Sequence, residues 1–205
     1  MKFYRYSIVF FVLLLSACSS HEQPKLAPLV PSATILAFGD SLTAGVGVHK
    51  EQAYPAILSQ LIGHKVMNAG VSGEKTTGGL ARLAKLLKQV HPQVLILCEG
   101  GNDMLRKQSL VQLKQNLANM IVLAQQEGIE VILIGVPKPG IRLQVPKLYP
   151  ELAQQYHLAY DGNTLPELLS NNQYKSDLIH LNAKGYNAWA LAIAELMRKT
   201  GLIGD

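Results

Sequence analysis

The chain has little cysteine and none of the short patterns that hold metal ions. Its 205 residues include only 2 cysteines, Cys18 and Cys98, so no disulfide framework can be recognised. Neither C-x-x-C nor H-E-x-x-H occurs, and the sequence therefore predicts no metal site. Lysine and arginine form no runs interleaved with aromatic residues, so we expect no nucleic-acid partner.

Other patterns are missing as well, and their absence narrows the class of enzyme. Neither G-x-x-x-x-G-K-[ST] nor G-x-G-x-x-G is present, which argues against nucleotide binding, and no cofactor is expected. The G-x-S-x-G pattern of ordinary α/β-hydrolases is missing because Thr43 stands where its second glycine would be. Hydrophobic residues make up 48% of the chain and charged residues 16%, which indicates one domain with a substantial core.

The first seventeen residues have the pattern of a secretory signal. Lys2 and Arg5 precede an apolar run over residues 8–15, and small residues then lead to Cys18. With its flanks the run is roughly 12 residues long, whereas a membrane-spanning helix needs about 20. We therefore predict that residues 1–17 are a signal peptide that is removed on export.

The end of this signal resembles the lipobox of bacterial lipoproteins, in the sequence Leu15-Ser16-Ala17-Cys18. The resemblance implies that Cys18 is acylated and anchors the protein in the cell envelope, facing the periplasm. Ser19 rather than an aspartate follows the cysteine, and this resembles the pattern of lipoproteins that are sorted to the outer membrane. The alternative is an ordinary signal peptide whose cleavage region contains a cysteine. Cys98 ends an apolar run and is predicted to be a buried free thiol.

Residues 18–33 are predicted to be a flexible tether between this anchor and a domain over 34–205. Three prolines, Pro24, Pro28 and Pro31, lie among polar and small residues without a helical or strand period. Extended at about 3.3 Å per residue, the fourteen residues from 19 to 32 would hold the domain up to roughly 45 Å from the bilayer.

From Thr34 onward, apolar runs typical of strands alternate with amphipathic segments typical of helices. The predicted strands cover 34–38, 65–69, 93–98 and 130–135, with a short fifth near 158–160; the predicted helices cover 54–62, 77–90, 109–127 and 183–199. This alternation predicts a doubly wound, flavodoxin-like parallel sheet with helices on both faces, in three α/β/α layers.

Polar, glycine-rich loops follow the first three predicted strands. They are Gly39-Asp40-Ser41, the segment 68–73, and Gly100-Gly101-Asn102-Asp103. Ligands bind outside the carboxyl ends of such strands, so the loops are expected to form one site. We interpret Ser41 as a nucleophile and Gly39 as the residue that permits a tight turn before it. A strand followed by an ordinary turn is the alternative for this stretch alone.

A base for Ser41 is available in Asp177-Leu178-Ile179-His180. The spacing of Asp177 and His180 within one turn places both side chains on one side, so the carboxylate can accept the His180 Nδ1 proton. Nε2 is then free to take a proton from a hydroxyl. A solvated turn is the alternative for this pattern taken alone.

These blocks together resemble the GDSL, or SGNH, hydrolases over about residues 34–200, and above all the bacterial periplasmic thioesterase, lysophospholipase and arylesterase group. The resemblance implies a catalytic triad of Ser41, His180 and Asp177. It also implies an oxyanion hole made by the backbone N–H groups of Ser41 and Gly73 and by the Asn102 side chain. Asp40 and Asp103 are expected to organise their loops.

The implied function is hydrolysis of carboxylic esters or thioesters through an acyl-enzyme on Ser41. Aryl esters, short acyl esters, lysophospholipids and acyl thioesters are the expected substrates, with no obligate protein partner. A carbohydrate O-acetylesterase of the same family is the first alternative, and an inactive tethered binding lipoprotein is the second.

Two features depart from the family pattern. Leu178 and Leu181 stand where the last block of the family pattern commonly has glycine and proline. The local turn is therefore expected to differ from the family's, whereas the acid and the base are retained. The segment 136–150 is compact beside the substrate loop of the thioesterase group, so acyl-chain preference is not transferred. Candidates for a wall that contacts the acyl chain follow the third and fourth strands: Met104, Leu105, Ile141 and Leu143.

Overall fold

The computed structural model describes residues 23–140 and 142–204. The predicted signal peptide, the predicted acylation site Cys18 and the candidate wall residue Ile141 lie outside the described residues. None of the described helices combines the length and the apolar composition needed to cross a bilayer.

Five parallel strands form one sheet in the order β2-β1-β3-β4-β5. They are β1 (Thr34–Gly39), β2 (Lys65–Gly70), β3 (Val94–Cys98), β4 (Glu130–Ile134) and β5 (Ala159–Asp161). All five predicted strands are confirmed, each within one residue at either end. The chain goes from β1 to β2 and returns to β3 on the other side of β1, which is the flavodoxin-like order.

Eight helices connect and follow the strands within the described ranges. They are α1 (Ser41–Ala44), α2 (Tyr54–Ile62), α3 (Thr76–Val90), α4 (Gly101–Leu105), α5 (Leu110–Gln126), α6 (Leu148–Gln155), α7 (Thr164–Ser170) and α8 (Ala183–Thr200). The four long helices α2, α3, α5 and α8 match the predicted segments. The other four have at most 8 residues, too few to show a helical period in the sequence.

The helices cover both faces of the sheet, as the apolar strands require. On one side α2 packs against α8, and on the other α3 packs against α5. The central strands β1, β3 and β4 are buried along nearly their whole length, so they have no solvent-facing side that would alternate with polar residues. Cys98 is a buried free thiol at the end of β3, as predicted. The resulting three-layer α/β/α fold is the one expected from the sequence.

Residues 23–32, which we call the strap, are bound to the domain. The side-chain amide of Gln23 pairs with the backbone N–H and C=O of Tyr160 in β5, at 3.0 and 2.9 Å. The backbone N–H groups of Leu26 and Leu29 donate to carbonyl oxygens at the end of α8 and just beyond it, each at 2.8 Å. Both leucine side chains pack against the hydrophobic core.

The strap departs from the flexible tether predicted over 18–33. Leu26 and Leu29 are separated by Ala27 and Pro28, so no periodic pattern in the sequence indicates that their side chains are partly buried. The longest span that the chain allows between Cys18 and the bound segment is consequently shorter than for a tether that extends to residue 32. Five residue steps separate Cys18 from Gln23, and at about 3.4 Å per step they span at most about 17 Å.

We expect the strap to contribute to the stability of the domain. Replacing Leu26 and Leu29 together by alanine removes two half-buried side chains and should lower the free energy of unfolding by about 2 kcal/mol. Val30→Ala is the matched control, because Val30 is 53% exposed, and its effect should stay within about 0.5 kcal/mol. Urea denaturation measures both. If the double variant were as stable as the control, the strap would be only a tether.

Candidate active site

Four of the predicted site residues lie at the carboxyl ends of the parallel strands. Ser41 is the first residue of α1, directly after β1, and Asn102 is the second residue of α4, after β3. Gly73 lies in the loop between β2 and α3, and His180 lies shortly before α8. Since β1 is between β2 and β3 in the sheet, the three loops meet at one edge.

Neighbouring segments of the chain leave room only for glycine at position 39, just before Asp40 and Ser41. A Cβ atom on Gly39 would lie 2.3 Å from the carbonyl oxygen of Cys98 and 2.3 Å from Thr43 Oγ1. Gly39 does not have a positive φ. Its role therefore differs from the tight turn that the sequence suggested: only a residue without a side chain fits between β1, β3 and α1.

Ser41, His180 and Asp177 form a continuous chain of contacts. Ser41 Oγ lies 2.9 Å from His180 Nε2, and His180 Nδ1 lies 2.7 Å from Asp177 Oδ2. With Nδ1–H donating to the carboxylate, Nε2 carries a lone pair toward the Ser41 hydroxyl. This is the arrangement in which a histidine base activates a serine nucleophile.

The Asp177 carboxylate also holds the turn on which His180 sits. Its Oδ1 accepts the backbone N–H groups of Ile179 and His180, at 2.8 and 2.9 Å. Desolvation raises the pKa of Asp177, but the two N–H groups and the His180 ring outweigh it and bring that pKa below its ordinary value of 3.8. The turn forms with leucine at both unusual positions: Leu181 is buried, and Leu178 is exposed.

Three hydrogen-bond donors belong to the loops around Ser41. As the first residue of α1, Ser41 has a backbone N–H without an acceptor inside the helix. Gly73 has φ of 76°, a left-handed conformation that favours glycine. In the described part of the chain neither of these N–H groups donates to another protein group. The Asn102 amide donates one of its two hydrogens to Asp40 and keeps the second for another acceptor. That these donors bind an oxyanion stays a prediction.

Asp40 ties the loop after β1 to the loop after β3. Its Oδ1 accepts the Leu42 N–H at 3.0 Å, and its Oδ2 accepts the Asn102 amide at 3.1 Å. Burial raises the pKa of Asp40 from 3.8 to about 6, although the Leu42 N–H, the charge of His180 and the Asn102 amide lower it. Asp40 thus orients Asn102, in the organising role expected for it.

Asp103 makes a second link, between α4 and the start of α3. Its carboxylate accepts the Thr76 backbone N–H at 2.9 Å and the Thr76 hydroxyl at 2.7 Å. Asn116 of α5 donates to the same hydroxyl at 2.9 Å. All three residues are buried. The loops that carry Gly73 and Asn102 are therefore joined by a polar network inside the protein.

A cleft opens beside Ser41 and has a largely apolar wall. The wall comes from α1, the end of α4, the segment after β4, α7 and the turn before His180. Its apolar residues are Leu42, Leu105, Val136, Pro137, Pro139, Leu143, Leu169, Leu178 and Ile179. Two of the predicted wall residues, Leu105 and Leu143, line the cleft. Met104 does not, because its side chain is buried in the core.

Three charged residues, Glu74, Arg82 and Glu99, lie behind the site and belong to no motif in the sequence. Arg82 in α3 donates from Nε to Glu74 Oε1 at 2.9 Å, and its guanidinium lies 4.0 Å from the centre of the Phe38 ring. Glu99 is fully buried at the start of the loop that carries Asn102. The signal for Glu99 is its position directly after the buried apolar run of β3.

Comparison with known proteins identifies relatives of this chain. The profile of the GDSL-like Lipase/Acylhydrolase family matches residues 37–188. Esterase TesA of Pseudomonas aeruginosa is 38% identical over 132 residues, which cover 62% of this chain and 65% of that protein, just under two thirds of its length. Thioesterase 1/protease 1/lysophospholipase L1 of Escherichia coli K12 is 33% identical over 157 residues, covering 73% of this chain and 76% of that protein.

A solved structure shares the fold. The crystal structure of TesA superposes with a TM-score of 0.75 at 30% sequence identity and covers 82% of this chain and 99% of that one. The overall fold described above therefore occurs in a relative of known structure.

The buried charge of Asp40 should make stability depend on pH. A carboxyl whose folded pKa is raised from 3.8 to about 6 favours folding fully below its ordinary pKa and loses that contribution as the pH rises through 6. Asp40→Asn cannot ionise. The free energy of unfolding of Asp40→Asn minus that of the wild type should therefore increase by about 3 kcal/mol from acidic to neutral pH.

Urea denaturation at about pH 3.5 and pH 7.5 measures this difference. Asp177→Asn is the control of opposite sign, because the pKa of Asp177 is lowered and its stabilising contribution is lost as the pH falls. If the difference in free energy of unfolding between Asp40→Asn and the wild type were the same at both pH values, Asp40 would not be a charge in a low-dielectric site.

Proposed function

The chain belongs to the GDSL-like lipase/acylhydrolase family, and from that premise we propose that it hydrolyses carboxylic esters through an acyl-enzyme on Ser41. The observation that carries the proposal is the contact of 2.9 Å between Ser41 Oγ and His180 Nε2, with Asp177 behind the ring. The same contact favours an enzyme over an inactive binding protein, because a binding role does not need a base on the serine.

The reaction proceeds in two steps on the same residues. In the first, His180 Nε2 takes the Ser41 proton while Oγ attacks the ester carbonyl, and the protonated His180 then gives that proton to the departing alcohol or thiol. In the second, His180 takes a proton from water, the hydroxide attacks the acyl-enzyme, and the proton returns to Ser41 as the acid leaves. Asp177 keeps the ring oriented and stabilises its charged form.

The negative charge that develops on the carbonyl oxygen is bound by the Ser41 and Gly73 N–H groups and by the Asn102 amide. Asn102 is suited to this because Asp40 holds one of its two amide hydrogens, which directs the other. A donor that is already oriented loses little entropy when the charge appears, and one such donor lowers the barrier by about 3 to 4 kcal/mol.

The cleft supports esters with an apolar acyl or aryl part as substrates. Its wall is formed mainly by leucine, isoleucine, valine and proline side chains, whereas a carbohydrate acetylesterase needs polar groups that bind sugar hydroxyls. The names esterase, thioesterase and lysophospholipase carried by the relatives agree with such substrates. Oxygen esters and thioesters are both accommodated, since the nucleophile and the oxyanion donors act on the carbonyl that the two share.

Ser41→Ala tests the acyl-enzyme. The variant should lose turnover of a chromogenic ester by roughly 10⁴-fold or more, because no covalent intermediate can form. An organophosphonate should label Ser41 of the wild type, as detected by mass spectrometry, and should fail to label the variant. Ser59→Ala is the matched control: Ser59 bonds the His64 carbonyl oxygen in the connection between α2 and β2, and its variant should keep turnover and labelling. Labelled Ser41→Ala would refute the assignment.

In the same assay Asn102→Ala tests the oxyanion donor. Its turnover number should fall by roughly 10² to 10³-fold while the Michaelis constant changes little, because the amide binds the transition state more strongly than the substrate. A loop-holding role predicts a different result, in which the melting temperature falls and the Michaelis constant rises together. Unchanged turnover in a destabilised variant would leave Asn102 out of the catalytic site.

For the location of the enzyme we propose export to the cell envelope and anchoring through acylated Cys18. The lipobox-like sequence before Cys18 supports this, and the strap supports a domain held close to the bilayer. Because the strap and the domain follow Cys18 in the chain, we expect the Cys18→Ser protein to fold without the lipid.

Metabolic labelling with a fatty-acid analogue tests the anchor. Cys18→Ser should abolish incorporation of the label, whereas Cys98→Ser, which replaces the other cysteine in the chain, should retain it. The specific activity of the Cys18→Ser protein should remain that of the wild type. Labelling that survives in Cys18→Ser would contradict acylation at this residue.

A further inference from the structure

Glu99 is a fully buried carboxyl at the junction between β3 and the loop that carries Asn102. Gly100 N–H donates to its Oε2 at 3.2 Å, and the Tyr149 hydroxyl donates to its backbone oxygen at 2.7 Å. Its Oε1 has no hydrogen-bond donor among the described residues. An ionised carboxylate would therefore have one oxygen without compensation in the protein interior, which is strongly unfavourable.

Glu74 provides a second carboxyl, on the loop that carries Gly73. Arg82 binds it through Nε, at 2.9 and 3.2 Å from its two oxygens, and through Nη2. Arg82 is itself fixed, since its Nη1 donates to the Ala69 carbonyl oxygen at 2.9 Å and its guanidinium stacks on a phenylalanine ring. Arg82 of α3 thus fixes the position of the Glu74 carboxylate.

The two carboxyl groups adjoin each other next to Gly79. A Cβ atom on Gly79 would lie 3.4 Å from Glu74 Oε2 and 3.4 Å from Glu99 Oε1, so the missing side chain leaves room for the pair. A side-chain hydrogen bond with Glu74 is among the causes that raise the pKa of Glu99. Two carboxylates only accept hydrogen bonds, so this contact needs a proton on one of them.

The groups that face Glu99 favour that proton. Burial, and then the charges of Asp40 and Glu74, raise the pKa of Glu99 well above its ordinary value. Asp40 faces it from the end of β1, and the Tyr149 hydroxyl and the Cys98 thiol approach it from α6 and β3. On the side of α5, the apolar Met120 lies next to Gly79. Arg82, the cation of this cluster, is bound by Glu74, so its charge compensates Glu74 and not Glu99.

We propose that Glu99 and Glu74 share one proton at neutral pH and that this acid pair positions the two oxyanion loops relative to each other. Glu74 follows Gly73 directly, and Glu99 lies three residues before Asn102, so a hydrogen bond between the carboxyl groups sets the distance between the two donors. Glu99 is a positioning residue and does not touch the substrate. The catalytic part of this inference rests on the proposed function.

Loss of the proton would place two like charges side by side in the interior. The repulsion would move the Gly73 loop away from the Asn102 loop and misalign their donors for the transition state. The expected signature is a fall of the turnover number at alkaline pH while the Michaelis constant stays nearly constant.

Two replacements of Glu99 separate positioning from packing. In Glu99→Gln the amide nitrogen donates permanently to Glu74 and the amide oxygen accepts from Gly100, so turnover should stay within about threefold of the wild type and the alkaline fall should disappear. Glu99→Leu fills a similar volume without bridging the loops. Its turnover should fall by about tenfold or more with little change in the Michaelis constant.

Thermal melts of wild type and Glu99→Gln test the proton itself without any substrate. A carboxyl with a raised folded pKa favours folding below its ordinary pKa and loses that contribution as the pH rises toward the folded value. The melting temperature of Glu99→Gln minus that of the wild type should therefore increase steadily from about pH 5 to pH 9. Because glutamine preserves the hydrogen bonds, this comparison is available even if Glu99→Leu does not fold.

Two results would overturn the proposal. One is a melting-temperature difference that is independent of pH, which means that the pair holds no extra proton. The other is an equal loss of turnover in Glu99→Gln and Glu99→Leu, which means that a neutral bridge does not position the loops. A wild-type protein without esterase activity would instead refute the proposed function, and the melts would still decide whether the acid pair is protonated.

Discussion

The buried carboxylate of Asp40 is the contact on which the geometry of the site depends. It joins the loop after β1, where Ser41 begins a helix, to the Asn102 amide in the loop after β3. Its burial raises its pKa to about 6, so an ionised Asp40 at neutral pH lowers stability. An apolar residue of that size would avoid the buried charge, yet it would leave the Leu42 N–H and the Asn102 amide without their acceptor. The site thus retains a destabilising charge for the sake of geometry.

Buried acids hold the loops together at this edge of the sheet, where the chain is rich in glycine and small polar residues. Leu42 and Met104 extend the hydrophobic core into two of these segments, but the links between the loops are polar. Asp103 links two of these loops by accepting from the backbone N–H and the hydroxyl of Thr76, which are neutral donors, and the link needs no proton of its own. Glu99 faces another carboxyl instead, so the same kind of bridge becomes sensitive to pH.

The sequence predicts well what depends on local patterns and predicts poorly what depends on contacts between distant residues. Strand runs and three- or four-residue periods identify every strand and every long helix, and the position of Ser41 after the first strand follows from them. Short helices such as α6 and α7 have too few residues for a period. The partner of Glu99 is 25 residues away, and a carboxyl pair leaves no pattern in the sequence. The strap was missed for a similar reason, since two leucines among prolines indicate no partner.

Chemistry and substrate selection come from different parts of the chain. The proposed nucleophile Ser41 and the proposed oxyanion donor Asn102 directly follow the central strands β1 and β3, where the sheet fixes them, whereas the apolar wall comes largely from peripheral segments. Leu178 illustrates this: it occupies a position where the family pattern commonly has glycine, and its side chain is 84% exposed at the rim of the cleft. An apolar acyl chain bound there would cover Leu178 and the adjoining Ile179 next to Asp177 and His180. Binding energy gained on the wall would then be gained beside the proposed catalytic acid and base, where it would hold the ester carbonyl against Ser41.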